Sequence, residues 1–240
     1  LIKKLKIPTR MAYLISIGST VCGTTAIMAT APVIKANKSE VSYAIANITL
    51  FGILSMLLYP YFSNFYFNGN SLFAGLFLGT AIHETSQVAA AGLIYDQQFN
   101  SPETLNIATV TKLIRNTFLI IMIPLFAFLY NRGKTKDKNY SILSIFPYFI
   151  LGFIGMIIFR NIGDHFFSTA TNYNWIEVIN FIKASSKMFL TMAMAAIGLS
   201  TNLKDIRNMG HKPFVVGFVS MLTVGIVSIL TIEIYLKLFT

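Results

Sequence analysis

The 240-residue chain is 55% hydrophobic and only 12% charged, whereas soluble domains average about 45 to 50% and about 25%. This composition excludes an ordinary soluble domain and predicts a chain that lies in lipid. The formal net charge of +10 does not indicate nucleic-acid binding, because the basic clusters lie between apolar runs and not on an amphipathic face. A single cysteine leaves no disulfide framework within the chain.

Seven runs are long and apolar enough for membrane-spanning helices, which need about 20 residues each. They cover residues 11–34, 41–61, 72–94, 110–130, 142–159, 178–200 and 213–235. Lysine and arginine collect before the first run, after the fourth and after the sixth, so the positive-inside rule places residue 1 in the cytoplasm and residue 240 outside. We therefore predict an all-α polytopic membrane protein in which residues 1–240 form a single transmembrane domain.

The first run differs from a plain lipid-facing helix. Small and hydroxylated residues gather at its middle, namely Gly18, Ser19, Thr20, Cys22, Gly23, Thr24 and Thr25. Glycine permits a membrane helix to be interrupted, and the freed backbone groups must then find partners in protein, water or ligand. Tight helix packing at the same residues is the alternative interpretation.

The sixth run shows a related pattern, since Ser185, Ser186 and Thr191 precede an alanine-rich stretch that ends at Gly198. Segments five spans apart have opposite membrane orientations, which fits an inverted repeat of five plus five spans with a site where two interrupted helices meet. We expect the interruptions near residues 22–25 and 192–196. The same scheme places three further spans before residue 1, so the chain is expected to be the C-terminal part of a longer protein.

The third run contains His83 and Glu84 among small and apolar residues. A zinc-binding His-Glu-x-x-His helix is excluded, because the second ligand position is Gln87 and an amide is a poor zinc ligand. A buried histidine and carboxylate suit proton relay, and a hydrogen-bonded cluster that only fixes helix packing is the alternative. Gly75 and Gly79 precede His83 at intervals of four residues and predict close approach to a neighbouring helix.

Four cations also lie within the runs, and charges of this kind usually face a bundle interior or a water-filled cavity. They are Lys112, Arg115, Lys183 and Lys187. Lys112, Arg115 and Lys183 lie near the ends of their runs, so snorkelling to the membrane surface is an open alternative for them. Lys187 lies about 13 Å into its run at 1.5 Å per residue. We expect Lys187 to supply positive charge to an anion.

Four separated blocks resemble a known family. They read STVCGTTAIMATAPVIKA, GTAIHETSQVAAAG, TVTKLIRNTFLIIMIP and MAMAAIGLSTNLKDIRNMGHKP. Through them the chain is similar to the YeiH-like bacterial membrane proteins, which are often labelled sulfate exporters or conserved hypothetical integral membrane proteins. This resemblance implies a longer N-terminal part and a fold like that of inverted-repeat secondary transporters of the bile-acid and sodium/proton antiporter type.

The resemblance also implies which positions lie in signature blocks: Cys22, Gly23, Ala26, Pro32, His83, Glu84, Gln87, Lys112, Arg115, Ala195 and Gly198. The chain departs from the family pattern at Thr24 and Thr25, where alanine or glycine and then serine are expected. The residues expected to form the substrate or ion pathway are Cys22, Gly23, Thr24, Thr25, His83, Glu84, Gln87, Lys112, Arg115 and Lys187.

The leading functional hypothesis is a secondary transporter that exports a small anion such as sulfate across the bacterial cytoplasmic membrane. Half-helix N-termini and the excess of lysine and arginine within the runs favour an anionic solute. The chain has no Gly-x-x-x-x-Gly-Lys-Ser/Thr motif for ATP, so we expect a proton or sodium gradient to drive transport, without cofactor or bound metal. An intramembrane enzyme using His83 and Glu84, a membrane scaffold and an oligomeric assembly stay open.

Overall fold

The structure, a computed structural model, describes residues 7–101, 103–131, 149–167, 173–200 and 212–239. Ten helices follow one another in these ranges, and the described residues form no strand, which confirms the predicted all-α class. The helices are α1 (Thr9–Thr20), α2 (Gly23–Thr30), α3 (Lys38–Tyr66), α4 (Ser71–Ala81), α5 (Thr85–Phe99), α6 (Thr104–Thr117), α7 (Leu119–Asn131), α8 (Phe149–Phe166), α9 (Tyr173–Ser200) and α10 (Lys212–Phe239).

Side-chain caps fix where two of these helices begin. The Asn37 side chain accepts a hydrogen bond from the Glu40 amide, and the Glu40 side chain accepts one from the Asn37 amide, so α3 begins with a reciprocal capping box. The Asn70 side chain accepts hydrogen bonds from the first-turn amides of α4. Both caps use residues that local sequence alone identifies as helix starts.

Within the described ranges, two helical stretches are long and apolar enough to cross a membrane, Lys38–Tyr66 and Phe214–Leu238. The stretches Thr104–Thr117 and Ile121–Tyr130 provide a third if their 47° bend is counted within one span. The segments α1, α2, α4 and α5 are too short individually to cross a hydrocarbon layer of about 30 Å. Each of the seven predicted runs contains helix within its described residues, but the count of seven spans stays a prediction.

The chain divides into two compact units, one made of Leu1–Ile145 with Asn202–Thr240 and the other of Phe146–Thr201. In the second unit, the Asp164 carboxylate accepts hydrogen bonds from Arg160 Nε at 2.6 Å and from Trp175 Nε1 at 2.8 Å. This carboxylate therefore links α8 to α9. The single transmembrane domain stays a prediction, and the residues of interest below all lie in the first unit.

The predicted interruption of the sixth run is wrong, because α9 continues without a break from Tyr173 to Ser200. Alanine and methionine make up residues 192–196, and their high helix propensity outweighs the small residues nearby. The first run is interrupted as predicted, between α1 and α2, but the second interruption lies in the third run, between α4 and α5. Spans two apart run in the same direction, so this pair is not the expected inverted pair, and the inverted repeat stays a prediction.

Glycines let α6 pack closely against α4. A Cβ atom added at Gly75 would lie 2.7 Å from Ile107 Cβ, and one added at Gly79 would lie 2.6 Å from the Ala108 carbonyl oxygen. The close approach predicted for these two glycines is confirmed, and the neighbouring helix is α6. This packing brings the cations of α6 against the end of α4.

Gly79→Ala should lower the free energy of unfolding by about 1 to 3 kcal/mol, the usual cost of overpacking. The new methyl group meets a backbone oxygen, which has less freedom to move aside than a side chain. Gly155→Ala is the matched control, because nothing lies within 4 Å of a Cβ atom built there. Thermal unfolding in detergent measures both variants, and equal losses of stability would contradict the close contact at Gly79.

Candidate functional site

Two helices are interrupted side by side in the first unit, and we call residues 21–22 together with residues 82–84 the double break. At the first interruption Cys22 has φ −130° and ψ 99°, which is extended backbone. At the second, Ile82 has φ −85° and ψ 141°, and Glu84 has φ −103° and ψ 140°. Extended backbone inside a membrane helix leaves polar groups that need partners within the protein.

The turns before the two interruptions share one local feature. Thr20 Oγ1 donates to the Ser16 carbonyl at 2.6 Å, and Thr80 Oγ1 donates to the Leu76 carbonyl at 2.6 Å. A hydroxyl that bonds back to the preceding turn competes with the helical hydrogen-bond pattern and often bends the helix. Both α1 and α4 thus end in a weakened turn.

The two interruptions contact each other directly. The Gly23 amide donates to the His83 carbonyl at 3.1 Å. A Cβ atom at position 23 would lie 2.4 Å from Glu84 Oε1 and 2.8 Å from Ile48 Cγ2. Position 23 therefore requires glycine, because the Glu84 carboxylate occupies the space that a Cβ atom would need.

Lys112 of α6 binds the C-terminal ends of both broken helices. Its Nζ atom donates to the Val21 carbonyl at 2.7 Å and to the Ile82 carbonyl at 2.8 Å. The side chain is completely buried, so Lys112 does not snorkel to a membrane surface. Each helix C-terminus carries the equivalent of about half a negative charge, which a buried ammonium compensates.

Arg115 lies one turn further along α6 and binds the same two helix ends. Its Nε donates to the Thr20 carbonyl at 2.8 Å, and its Nη2 donates to the Ser19 carbonyl at 2.7 Å. Its Nη1 donates to the Thr80 carbonyl at 2.5 Å and to the Ile82 carbonyl at 3.4 Å. The guanidinium therefore joins α1 to α4 with a geometry that a point charge such as lysine does not provide.

Glu84 binds the N-terminus of α2, the helix that follows the first break. Its Oε1 atom accepts hydrogen bonds from the Thr24 amide at 2.6 Å and from Thr24 Oγ1 at 2.5 Å. Because the Thr24 amide belongs to the first turn of α2, the carboxylate lies where the positive end of a helix dipole favours an anion. Thr24 supplies both the amide and the hydroxyl for this contact.

The N-terminus of α5 has no such carboxylate. Glu84 is its N-cap residue, but the Glu84 side chain makes no hydrogen bond to the first turn of α5. The residues around this end are polar: Asn116 Nδ2 donates to Thr85 Oγ1 at 3.2 Å, and the Cys22 sulfur lies 3.7 Å from Thr85 Oγ1. First-turn amides without a cap form an anion-binding arrangement.

Several buried polar atoms near the double break make no hydrogen bond within the described part of the chain. They are both ring nitrogens of His83, Ser86 Oγ, Asn116 Oδ1, Gln87 Oε1 and Thr49 Oγ1. Buried polar groups are normally paired, so such a group needs an explanation, for example an ordered water or an ion. These unpaired atoms lie around residues that the sequence analysis predicted to be functional.

Gln87 lies apart from Glu84, on the face of α5 that packs against α3. Its Nε2 donates to the Thr49 carbonyl at 3.2 Å, and a Cβ atom at Gly52 would lie 2.0 Å from Gln87 Oε1. In an unbroken helix Gly79, His83 and Gln87 would share one face, since they are spaced four residues apart. The interruption at residues 82–84 prevents this arrangement. Gln87 is thus placed at the contact between α5 and α3.

The remaining predicted residues have different positions. Thr25 is exposed, and Lys187 belongs to α9 with a side chain outside the described residues. Sequence reasoning missed Thr80, Thr85, Ser86 and Asn116. The run of polar residues from His83 to Gln87 in the middle of an apolar segment was the available signal for this second interruption.

A cavity of about 780 Å³ is lined by Arg115 and by Thr20 and Thr80, the residues that precede the two interruptions. Arg115 is the one charged residue among the described residues that line it, beside hydroxyl groups of α1, α4 and α10. Thr80 Oγ1 and Ser228 Oγ lie 2.5 Å apart on its wall. The cavity therefore offers a polar end at Arg115 and apolar walls elsewhere.

These features define the class of the protein. It is an all-helical membrane protein in which charged side chains pack against two broken helices. The chain belongs to the family described as Conserved hypothetical protein 698, which matches residues 1–217. This membership confirms the resemblance inferred from the four sequence blocks. No solved structure matches the chain.

The relatives that match are membrane proteins of bacteria. A UPF0324 membrane protein of Fusobacterium nucleatum is 39% identical over 236 residues, which cover 95% of this chain and 68% of the relative. A UPF0324 membrane protein of Streptococcus pyogenes serotype M18 is 38% identical, and the match covers 95% of this chain and 66% of the relative. One from Clostridium tetani is 34% identical, also with 95% and 66% covered. The chain spans about two thirds of the length of these relatives.

Proposed function

We propose that this chain belongs to a secondary transporter that moves a small anion, such as sulfate, across the bacterial cytoplasmic membrane. Membrane transporters bind substrates and coupling ions at interrupted helices near the middle of the bilayer, where half-helix ends and unwound backbone provide the ligands. The double break has these parts, together with buried Lys112 and Glu84 and half-buried Arg115. It supports transport better than a purely structural arrangement, because several buried polar atoms beside it have no partner within the described residues.

The charge balance of the double break is the observation that carries the choice of an anion. Two helix C-termini with about half a negative charge each cancel two helix N-termini with about half a positive charge each. The two cations on α6 then exceed the one carboxylate, and ionised side chains leave about one net positive charge. An anion neutralises this excess, whereas a cationic substrate increases it.

The N-terminus of α5 is the place that we propose for the anion. Its first turn lacks a side-chain cap, the Ser86 hydroxyl has no partner among the described residues, and Asn116 Nδ2 uses only one of its two hydrogens, for Thr85 Oγ1. The N-terminus of α2 is less suitable, because Glu84 already binds it. The cavity lined by Arg115 is the opening that we propose for the route of the anion towards the double break.

Glu84 is the group that we propose for coupling to protons. An ionised carboxylate beside the N-terminus of α5 repels an anion, and protonation removes that repulsion. Binding of the anion then favours uptake of a proton by Glu84, and release of the proton favours release of the anion. Sodium is the alternative coupling ion, and the direction of net movement follows the larger gradient.

The intramembrane enzyme is the weaker alternative. Its acid and base would be His83 and Glu84, but the described contacts of Glu84 are to Thr24, and the ring of His83 makes no hydrogen bond to a described side chain. Acid and base catalysis needs groups within hydrogen-bond reach of a common reacting atom. The double break offers no such convergence among its described residues.

Reconstitution of the full-length protein in liposomes tests the proposal. A panel of anions that includes sulfate should give uptake that depends on the protein and on the imposed proton or sodium gradient. Liposomes without protein and liposomes with the Ser86→Ala, Asn116→Ala double variant are the controls, and this variant should bind the anion more weakly. Absence of anion flux under every gradient would favour the scaffold.

A further inference from the structure

The ammonium group of Lys112 lies where a bound metal cation would lie. Its Nζ atom is 2.7 Å from the Val21 carbonyl oxygen and 2.8 Å from the Ile82 carbonyl oxygen. Each oxygen lies just past the last residue of a broken helix, after Thr20 in one case and Ala81 in the other. The side chain has no exposure to solvent, so these oxygens have an internal partner in place of water.

Carbonyl oxygens of this kind are the ligands that sodium uses at interrupted transporter helices. Two helix C-terminal ends sum to about one negative charge, which favours a cation at the position of the Lys112 ammonium, beside the carbonyls that Arg115 binds. We propose that Lys112 is a built-in monovalent cation, and that the oxygens of Val21 and Ile82 form a latent site for sodium, potassium or ammonium when its side chain is removed.

This assignment has a consequence for coupling. A tethered ammonium stays with the protein through the transport cycle, so the two oxygens provide no place from which a sodium ion is delivered. Of the two coupling ions left open above, the proton is then the one that the double break serves. Only this consequence rests on the proposed function, since the latent site is a property of the folded protein.

Thermal unfolding of the full-length protein in detergent tests the latent site. Lys112→Ala removes the ammonium and leaves space, whereas Lys112→Met removes the charge but fills much of the space. The melting temperature of Lys112→Ala should rise by about 3 °C at ten times the dissociation constant of the ion. Sodium, potassium and ammonium chloride are compared with choline chloride at equal ionic strength, because choline is too large for the site.

In the control proteins, the same salts should have no cation-specific effect on the melting temperature. Wild-type protein, Lys112→Met and Lys183→Met, which alters an exposed lysine of α9, should respond to the small cations as they respond to choline. An equal response of Lys112→Ala to choline and to the small cations would overturn the proposal. A specific response of Lys112→Met as large as that of Lys112→Ala would also overturn it, because the methionine side chain occupies the site.

If Lys112→Ala does not fold in choline chloride, its purification in the other salts provides a second test. Monodisperse protein should then be recovered in ammonium, sodium or potassium chloride. Aggregation of Lys112→Ala in all of these salts, with folded Lys112→Met, would overturn the latent site. If the cation response is found but liposomes show no anion flux under any gradient, the site stands and the proposed transport function fails.

Discussion

A Glu84→Gln variant should keep equilibrium binding of the anion and lose its proton-driven accumulation in liposomes. Glutamine retains an oxygen that accepts the two hydrogen bonds from Thr24, but it does not take up and release a proton. Net accumulation under a proton gradient should fall to the level of protein-free liposomes. The loss of stability should be about 1 kcal/mol or less, because the hydrogen bonds to the amide replace those to the carboxylate.

Two comparisons make this test specific. Glu103→Gln changes an exposed acid at the start of α6 and should leave accumulation unchanged. Thr24→Val removes the hydroxyl that donates to Glu84 and should change the pH dependence of accumulation without abolishing it. Wild-type accumulation with the wild-type pH profile in Glu84→Gln would reject the relay and leave Glu84 as a cap for α2.

Replacement of Arg115 should have the largest effect on stability. Arg115→Met leaves carbonyl oxygens of Ser19, Thr20 and Thr80 without their shared donor. An unsatisfied buried acceptor costs about 1 to 3 kcal/mol. Ser19 is buried and Thr80 is half-buried, whereas Thr20 is exposed, so the free energy of unfolding should fall by about 3 kcal/mol. Thermal and denaturant unfolding of the purified protein in detergent measure this loss.

Arg115→Lys tests whether the stability depends on the positive charge at position 115 or on the several hydrogen-bond donors of the guanidinium. A lysine keeps the positive charge but does not reach both helix ends with several donors, so the variant should recover only a minor part of the lost stability. Arg160→Met is the matched control, since Arg160 forms a partly exposed pair with Asp164 within α8, and such pairs contribute little. Stability of Arg115→Met close to that of Arg160→Met would show that Arg115 is dispensable for joining α1 to α4.

The interruption of the first run was predictable because its causes are local. Gly18, Ser19 and Thr20 weaken the helix, and Gly23 allows the close approach of another chain segment. The interruption of the third run has local causes too, since Thr80 bonds back to the preceding turn. The freed carbonyls of both interruptions depend on cations of α6, which local sequence does not reveal. The sequence pattern in the sixth run misled because small residues serve a continuous helix equally well.

The candidate site shows the same division. His83, Glu84, Lys112 and Arg115 were marked by their cost in lipid, which is a property of residue type and needs no knowledge of the fold. Their partners were not predictable, because Val21 is 91 residues and Ile82 is 30 residues from Lys112 along the chain. Local patterns contain no information on contacts of this range.

The amino-acid sequence by itself determined that the chain is helical, lies in a membrane and contains costly charges within apolar runs. Hydropathy and residue type decide these properties, since they depend on transfer from water to lipid. Only the tertiary structure decided that α1 and α4 end beside each other, that Lys112 and Arg115 bind their carbonyls, and that Glu84 binds the start of α2. The physical reason is that an interrupted helix is stable only where distant residues satisfy its freed backbone groups.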